Sequence, residues 1–178
     1  MRKLSALGFL MLISGAVTDV NSQMLDFDRY KMMTEFLANN GGRWESTREN
    51  YNQNKTASVS GDGYYCYIDQ DKNFLRIRKV SHFRNSDFTT YERTWYWHPA
   101  DKKILFITWG GDGKIETGTV EIVSEKAFVL IYDAIDADGI VVKRKEENFI
   151  TGDSAFQTKV LELKGEKWEE IQRFEWKK

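Results

Sequence analysis

Cysteine, proline and histidine are all scarce in this chain: among 178 residues there is one cysteine, Cys66, one proline, Pro99, and two histidines, His82 and His98. A lone thiol forms no internal disulfide, so the fold must be held by packing. The setting Tyr64-Tyr65-Cys66-Tyr67 reads as a small buried hydrophobe, with a reactive thiol as the alternative. Cys66 also stands too far from the N-terminus to carry a lipid anchor. Neither histidine sits in the spacing of a catalytic triad or a metal-ligand set, and both read as solvated. Asp133, Asp136 and Asp138 lack the glutamate and the spacing of an EF-hand and suit a hairpin turn better. Gly110-Gly111-Asp112-Gly113 is followed by no helix that would make it a phosphate loop. No metal and no cofactor are expected.

Net charge is nearly absent too, at −1. A nucleic-acid partner is therefore not expected, because binding phosphates usually takes a basic stripe. No apolar run is long enough to span a bilayer comfortably. The longest, Leu4 to Val17, follows Arg2 and Lys3 and ends near the small-residue pattern Val20-Asn21-Ser22. That order is a secretory signal peptide, residues 1–22, with cleavage before Gln23 and an earlier candidate site at Ser14-Gly15-Ala16. The expected mature chain, residues 23–178, is one domain with no membrane span, periplasmic or secreted. Losing Arg2, Lys3 and Asp19 makes it one unit more negative. Nothing in the composition points to an oligomeric state.

What is present is alternation. Met24 to Asn39 places Leu25, Tyr30, Met33, Phe36 and Leu37 at helical spacing and ends in Asn39-Asn40-Gly41-Gly42, a helix stop. Beyond Arg43 the pattern changes to strand-length runs rich in aromatic and β-branched residues, near 43–52, 57–68, 73–83, 88–97, 103–109, 114–123, 126–133, 139–150, 154–164 and 167–177. Short polar turns separate them, among them Asp69-Gln70-Asp71-Lys72, His98-Pro99-Ala100-Asp101, Asp136-Ala137-Asp138-Gly139 and Lys164-Gly165-Glu166. Short sequential connections favour neighbour pairing, and an open sheet of this size would leave two long unpaired edges. The fold class is therefore mainly β, a single up-and-down antiparallel β-barrel of about eight to ten strands with one N-terminal amphipathic helix. A two-layer sandwich is the competing arrangement.

A short helix followed by Gly42-Arg43-Trp44 at the start of the first strand resembles the lipocalins and the wider calycin superfamily. The order of helix, Trp-Glu strand, successive hairpins and a final Trp-containing hairpin is similar to lipocalin-like domains of bacterial exported proteins. The resemblance implies that Trp44 packs at the closed end of the barrel, often against an arginine of a late strand, here Arg173. It extends neither to the paired cysteines of secreted lipocalins nor to the late histidine of nitrobindin-type haem proteins, since no histidine follows His98.

Period-two order puts Tyr91, Arg93, Trp95 and Trp97 on one face of their strand. Turned inward, with Trp109, they would line an apolar cavity with Arg93 as its polar anchor. The alternative is a packed aromatic core in which Arg93 reaches a buried carboxylate. Ile140, Val142, Arg144, Glu146 and Asn148 share a second face, on which Arg144 and Glu146 would meet a polar ligand group if it points inward. Its register is ambiguous because Lys143, Lys145 and Glu147 charge the opposite face as well. Gln157, Trp168, Arg173, Phe174 and Trp176 extend the candidate list.

Three functions follow. The first is an exported carrier or sensor of a small hydrophobic or amphipathic ligand. The second is an isomerase or hydrolase using Glu146, or another inward carboxylate such as Glu92 or Glu170, as a general base whose pKa desolvation would raise. The third is an envelope interaction module that docks a partner through the Met24 to Asn39 helix, where Met32, Met33 and Phe36 would form the contact, or through an exposed strand edge.

Overall fold

The computed structural model describes residues 14–50, 64–71, 74–83 and 86–178. Expected strand positions 51–52, 57–63 and 73, the turn residue Lys72, the signal segment before Ser14, and the side chains of Cys66 and His82 lie outside the described residues.

Helix α1 spans Ser14–Ala38. Ten strands follow: β1 (Arg43–Asn50), β2 (Tyr64–Asp71), β3 (Phe74–Phe83), β4 (Ser86–His98), β5 (Lys103–Gly110), β6 (Ile115–Ser124), β7 (Ala127–Ile135), β8 (Val141–Gly152), β9 (Ala155–Lys164) and β10 (Lys167–Lys177). Each pairs antiparallel with its sequence neighbour, and β1 pairs with β10 to close the barrel. Closure gives every strand a neighbour on both sides, so the sheet has no free edge strand of the kind so long a meander would otherwise leave. The arrangement is an up-and-down barrel, not a sandwich, and it is compatible with a lipocalin-like fold.

Two boundaries differ from the sequence expectation. Asp69, Gln70 and Asp71 are the paired end of β2, opposite Arg76, Leu75 and Phe74, rather than a turn. Polar residues there simply continue the ladder to the hairpin tip. The helix begins ten residues before Met24, because Ala16 to Gln23 contain neither proline nor glycine to stop it. The expected cleavage site at Ser22 thus falls within helical chain.

The helix plugs one mouth of the barrel. Tyr30, Met33, Thr34 and Leu37, one stripe at spacings of three and four, are buried, and Phe27 packs against Trp97 at a tilt with ring centroids 5.6 Å apart. Met33 and Phe36 therefore pack inward, and Met32 is the exposed member of the expected docking trio. Deleting residues 24–39 should unfold the barrel or lower its midpoint by 10 °C or more, roughly, since several buried large side chains are lost at about 2–5 kcal/mol each; thermal denaturation followed by circular dichroism checks this.

The chain then turns sharply into β1. Gly42 has φ +62°, and a Cβ there would lie 1.7 Å from the carbonyl oxygen of Ile68, so only glycine fits. Trp44, 0% exposed, packs between Phe36 and Phe156 and donates its indole N–H to the Leu37 carbonyl at 2.8 Å. That bond satisfies one of the carbonyls a helix leaves open at its C-terminus. The cation over the Trp44 ring is the Lys178 ammonium, 4.5 Å from the centroid, which also donates to the Phe36 and Asn39 carbonyls. Arg173 falls between cavity-facing Gln172 and Phe174, hence on the other face of β10, and pairs with Glu170 at 2.9 Å. The role the resemblance gives to Arg173 belongs here to Lys178.

Gly118 on β6 stands between Phe106 and Tyr132 in register, and the two rings meet across it in a T-shaped contact at 5.6 Å. A Cβ at Gly118 would come within 2.6 Å of the Tyr132 Cβ and 2.2 Å of the Ile131 carbonyl oxygen. Gly118→Ala should destabilise the protein by about 1–3 kcal/mol through overpacking, read as a lower urea midpoint with a changed near-ultraviolet spectrum.

Candidate functional site

The inward faces of the strands build a layered interior. Near the helix the layer is apolar and aromatic: Leu37, Ile68, Trp95, Phe128, Phe156 and Trp176. Toward the opposite mouth strands β3 to β8 turn in Lys79, Arg93, Thr108, Glu116, Tyr132 and Glu146. Between the layers lies a cavity of about 260 Å³.

Arg93 organises the polar layer. It is 3% exposed, and an isolated charge at that depth would be very costly. Its guanidinium donates from Nη1 and Nη2 to the two Glu146 oxygens, both at 2.9 Å, a bidentate pair. Nη2 also reaches Glu116 Oε2 at 2.8 Å and Nε reaches Thr108 Oγ1 at 2.8 Å. The aromatic rings of Tyr91, Phe106 and Tyr132 surround it, with centroids 4.8 to 5.7 Å from Cζ. The Tyr132 hydroxyl donates to Glu146 Oε1 at 3.0 Å.

These partners decide the protonation states. Burial alone would raise the Glu146 carboxyl, but the Arg93 guanidinium outweighs it, with help from the Tyr132 hydroxyl and Lys79, and holds the pKa below the ordinary carboxylate value. Burial and the charges of Glu146 and Glu116 push the Tyr132 phenol well above its ordinary value. Burial opposes the Arg93 charge, yet Glu146, Tyr91 and Glu116 keep it firmly protonated, its pKa raised. Glu146 is thus an anchored carboxylate accepting three hydrogen bonds. A general base with a raised pKa is the opposite condition. The other two candidate bases differ as well, since Glu92 is exposed and Glu170 is held by Arg173.

Tyr91, Arg93, Trp95, Arg144 and Glu146 all line this one cavity. Arg144 pairs with Glu162 at 3.1 Å. The ambiguous face of β8 is therefore the inner one, and Ile140 falls just outside the strand, exposed. Arg93 donates four hydrogen bonds to protein groups, two of them to a buried carboxylate partner, Glu146. Trp97 faces inward but packs under Phe27 instead of lining the cavity. Trp109 is on the outer face, 49% exposed, opposite Glu92. Its neighbour Thr108 takes the inward position and bonds Arg93, so parity sends Trp109 out.

Among the further candidates, Phe174 and Trp176 line the cavity, whereas Gln157 alternates with inward Phe156 and Thr158 and faces out. Trp168 lies under the Lys145 ammonium, 5.1 Å from the ring centroid. Residues the sequence reading did not single out are Lys79, Thr108, Glu116, Tyr132 and Thr158. Lys79 is buried with its ammonium 3.7 Å from the centroid of the Phe174 ring. A second network runs through the floor: Trp176 donates its indole N–H to Thr158 at 3.1 Å, and Thr158 donates to Asn148 Oδ1 at 2.6 Å.

Other features are local. Asp136 accepts from the backbone N–H groups of Asp138 and Ile140, so the acidic stretch caps its own hairpin. His98 ends β4 beside Asp101 of the following turn, partly exposed. Among the described residues no group of three His, Cys, Asp or Glu side chains is placed to hold a metal ion, and no helix is long and apolar enough to cross a membrane.

No protein-family model and no curated protein matches the chain.

Proposed function

We propose that the protein is a non-enzymatic carrier or sensor that holds a small amphipathic molecule inside the barrel. The observation that carries this reading is the cavity of about 260 Å³ between an aromatic floor and a charged wall whose members are already mutually bonded. A rigid polar network beside an apolar space orients a ligand without having to rearrange, which lowers the cost of binding. The helix, the Gly42-Arg43-Trp44 turn and the ten-strand meander also support the lipocalin-like reading, in which such interiors serve as ligand sites.

Native mass spectrometry of the purified protein should show a bound small molecule, and titration with compact amphiphiles should alter the fluorescence of Trp95 and Trp176. Val160→Trp, which puts a large ring into the cavity wall, should abolish both signals. A protein without bound mass whose fluorescence no amphiphile alters would overturn the reading.

The proposal includes export. The basic start and the apolar run from Leu4 to Val17 support it, and cleavage before Gln23 would keep the buried helix residues Tyr30, Met33, Thr34 and Leu37 in the mature chain. The intact mass of the cellular protein should correspond to a start at Gln23; a full-length cytoplasmic chain would remove export from the proposal.

A further inference from the structure

Two buried side-chain polar atoms among the described residues have no hydrogen-bond partner: the indole Nε1 of Trp95 and the amide Nδ2 of Asn148. Both residues line the cavity, with exposures of 2% and 4%. Both atoms are donors. The amide's orientation follows from its network. The 2.6 Å between Thr158 Oγ1 and the amide suits an O–H···O bond rather than an N–H···O one, so Thr158, which accepts from the Trp176 indole, donates to Asn148 Oδ1 and leaves the NH₂ group unengaged. The two residues flank Phe128. Trp95 meets that ring in a T-shaped contact at 5.5 Å, and Asn148 stands directly opposite Phe128 in the β7–β8 ladder. Buried donors are nearly always paired, so two orphans at one end of one cavity ask for an acceptor from outside the chain.

The charges narrow that acceptor's chemistry. Arg93 and Lys79 stand with Glu116 and Glu146, and Arg144 stands with Glu162. Cations and carboxylates therefore balance around the cavity, and an ionised ligand would arrive without a counter-charge of its own, an unfavourable burial. An uncharged oxygen with two lone pairs meets both requirements. A volume of about 260 Å³ falls just below the roughly 300–1,000 Å³ of pockets for drug-sized molecules, so the ligand is compact.

We propose that the Trp95–Asn148 end of the cavity is a subsite for the carbonyl oxygen of a small uncharged molecule whose apolar body packs on Phe128, Phe156 and Trp176. The inference rests on the ligand-binding reading above and adds the ligand's class.

The test titrates the full-length ¹⁵N-labelled protein with four probes of one ring size: cyclohexanone, cyclohexene, cyclohexanecarboxylate and cyclohexylamine. Cyclohexanone should bind at least tenfold more tightly than the other three and should shift the Trp95 indole N–H resonance downfield, which cyclohexene should not do. Trp95→Phe should weaken cyclohexanone about tenfold and leave cyclohexene within twofold. Asn148→Leu provides the same ratio should the first variant fail to fold. Tightest binding of the carboxylate or the amine, equal losses for ketone and alkene, or no binding of cyclohexanone would each overturn the carbonyl subsite. These outcomes are distinct from failure of the ligand-binding reading, which is decided by bound mass in the unsubstituted protein.

Discussion

Arg93→Met should lower stability at neutral pH by about 3–5 kcal/mol, the usual penalty for removing one partner of a buried ion pair. For a chain of this length that is a fall of roughly 6–20 °C in the thermal midpoint. The variant leaves Glu146 and Glu116, both largely buried, facing each other without their cation. Arg93→Lys should rescue only part of the loss. A single ammonium cannot reproduce the planar fork that bridges Glu146, Glu116 and Thr108 together.

The pH dependence has a definite sign. In the unsubstituted protein the Glu146 carboxyl is held below its ordinary value, so its stabilisation is complete above the unfolded-chain pKa of about 4.3 and is lost as pH falls through the lower folded value. In Arg93→Met the Glu146 carboxyl, buried and without the guanidinium that lowers its pKa, becomes harder to ionise, so that variant loses stability as pH rises. The difference between the two proteins should therefore be largest near neutrality and shrink toward pH 4. Adding Glu116→Gln and Glu146→Gln to Arg93→Met should restore part of the midpoint, because neither carboxylate is then buried without the arginine. A pH-independent difference, or no benefit from the added glutamines, would falsify this account of the cluster.

Trp44→Ala is the second large effect, again about 3–5 kcal/mol. It empties the space between Phe36 and Phe156 and releases the Leu37 carbonyl at the end of α1. Trp44→Phe separates these contributions. It keeps most of the ring volume and loses only the hydrogen bond, so it should cost about 1 kcal/mol. Amide exchange should show faster opening of residues 33–38 in both variants. If the helix stays equally protected in Trp44→Ala, then Trp44 does not fasten it.

Much of this architecture is readable from alternation alone. The stripe Tyr91, Arg93, Trp95 is conspicuous because large rings interleave with polar residues, and the inward face of β4 matches it. Glycine-bearing turns mark the hairpins because positive φ is needed there, as at Gly113, Gly139 and Gly165. The polar half of the interior is far less visible. Glu116 and Gly118 share an inward face that looks solvated in sequence, since a carboxylate and a glycine carry no hydrophobic signal. Their placement makes sense only once Arg93 and the Phe106–Tyr132 contact are known. Lys79 hides for the same reason: its ammonium lies on the Phe174 ring, a contact between strands far apart in the chain. Trp109 misleads in the other direction, because ring size suggests the interior whereas strand parity sends it outside.

The seam between β1 and β10 joins residues 45–50 to residues 172–177, the first and last strands of the sheet. Successive hairpins can form while the chain is still being synthesised, since each pairs with its immediate predecessor. The enclosing wall cannot. Until the final strand emerges from the ribosome the interior remains a curved open surface, and contacts of such long sequence separation form late and slowly. An internal chamber, and with it any capacity to retain a guest, therefore comes into existence only once β10 has joined β1.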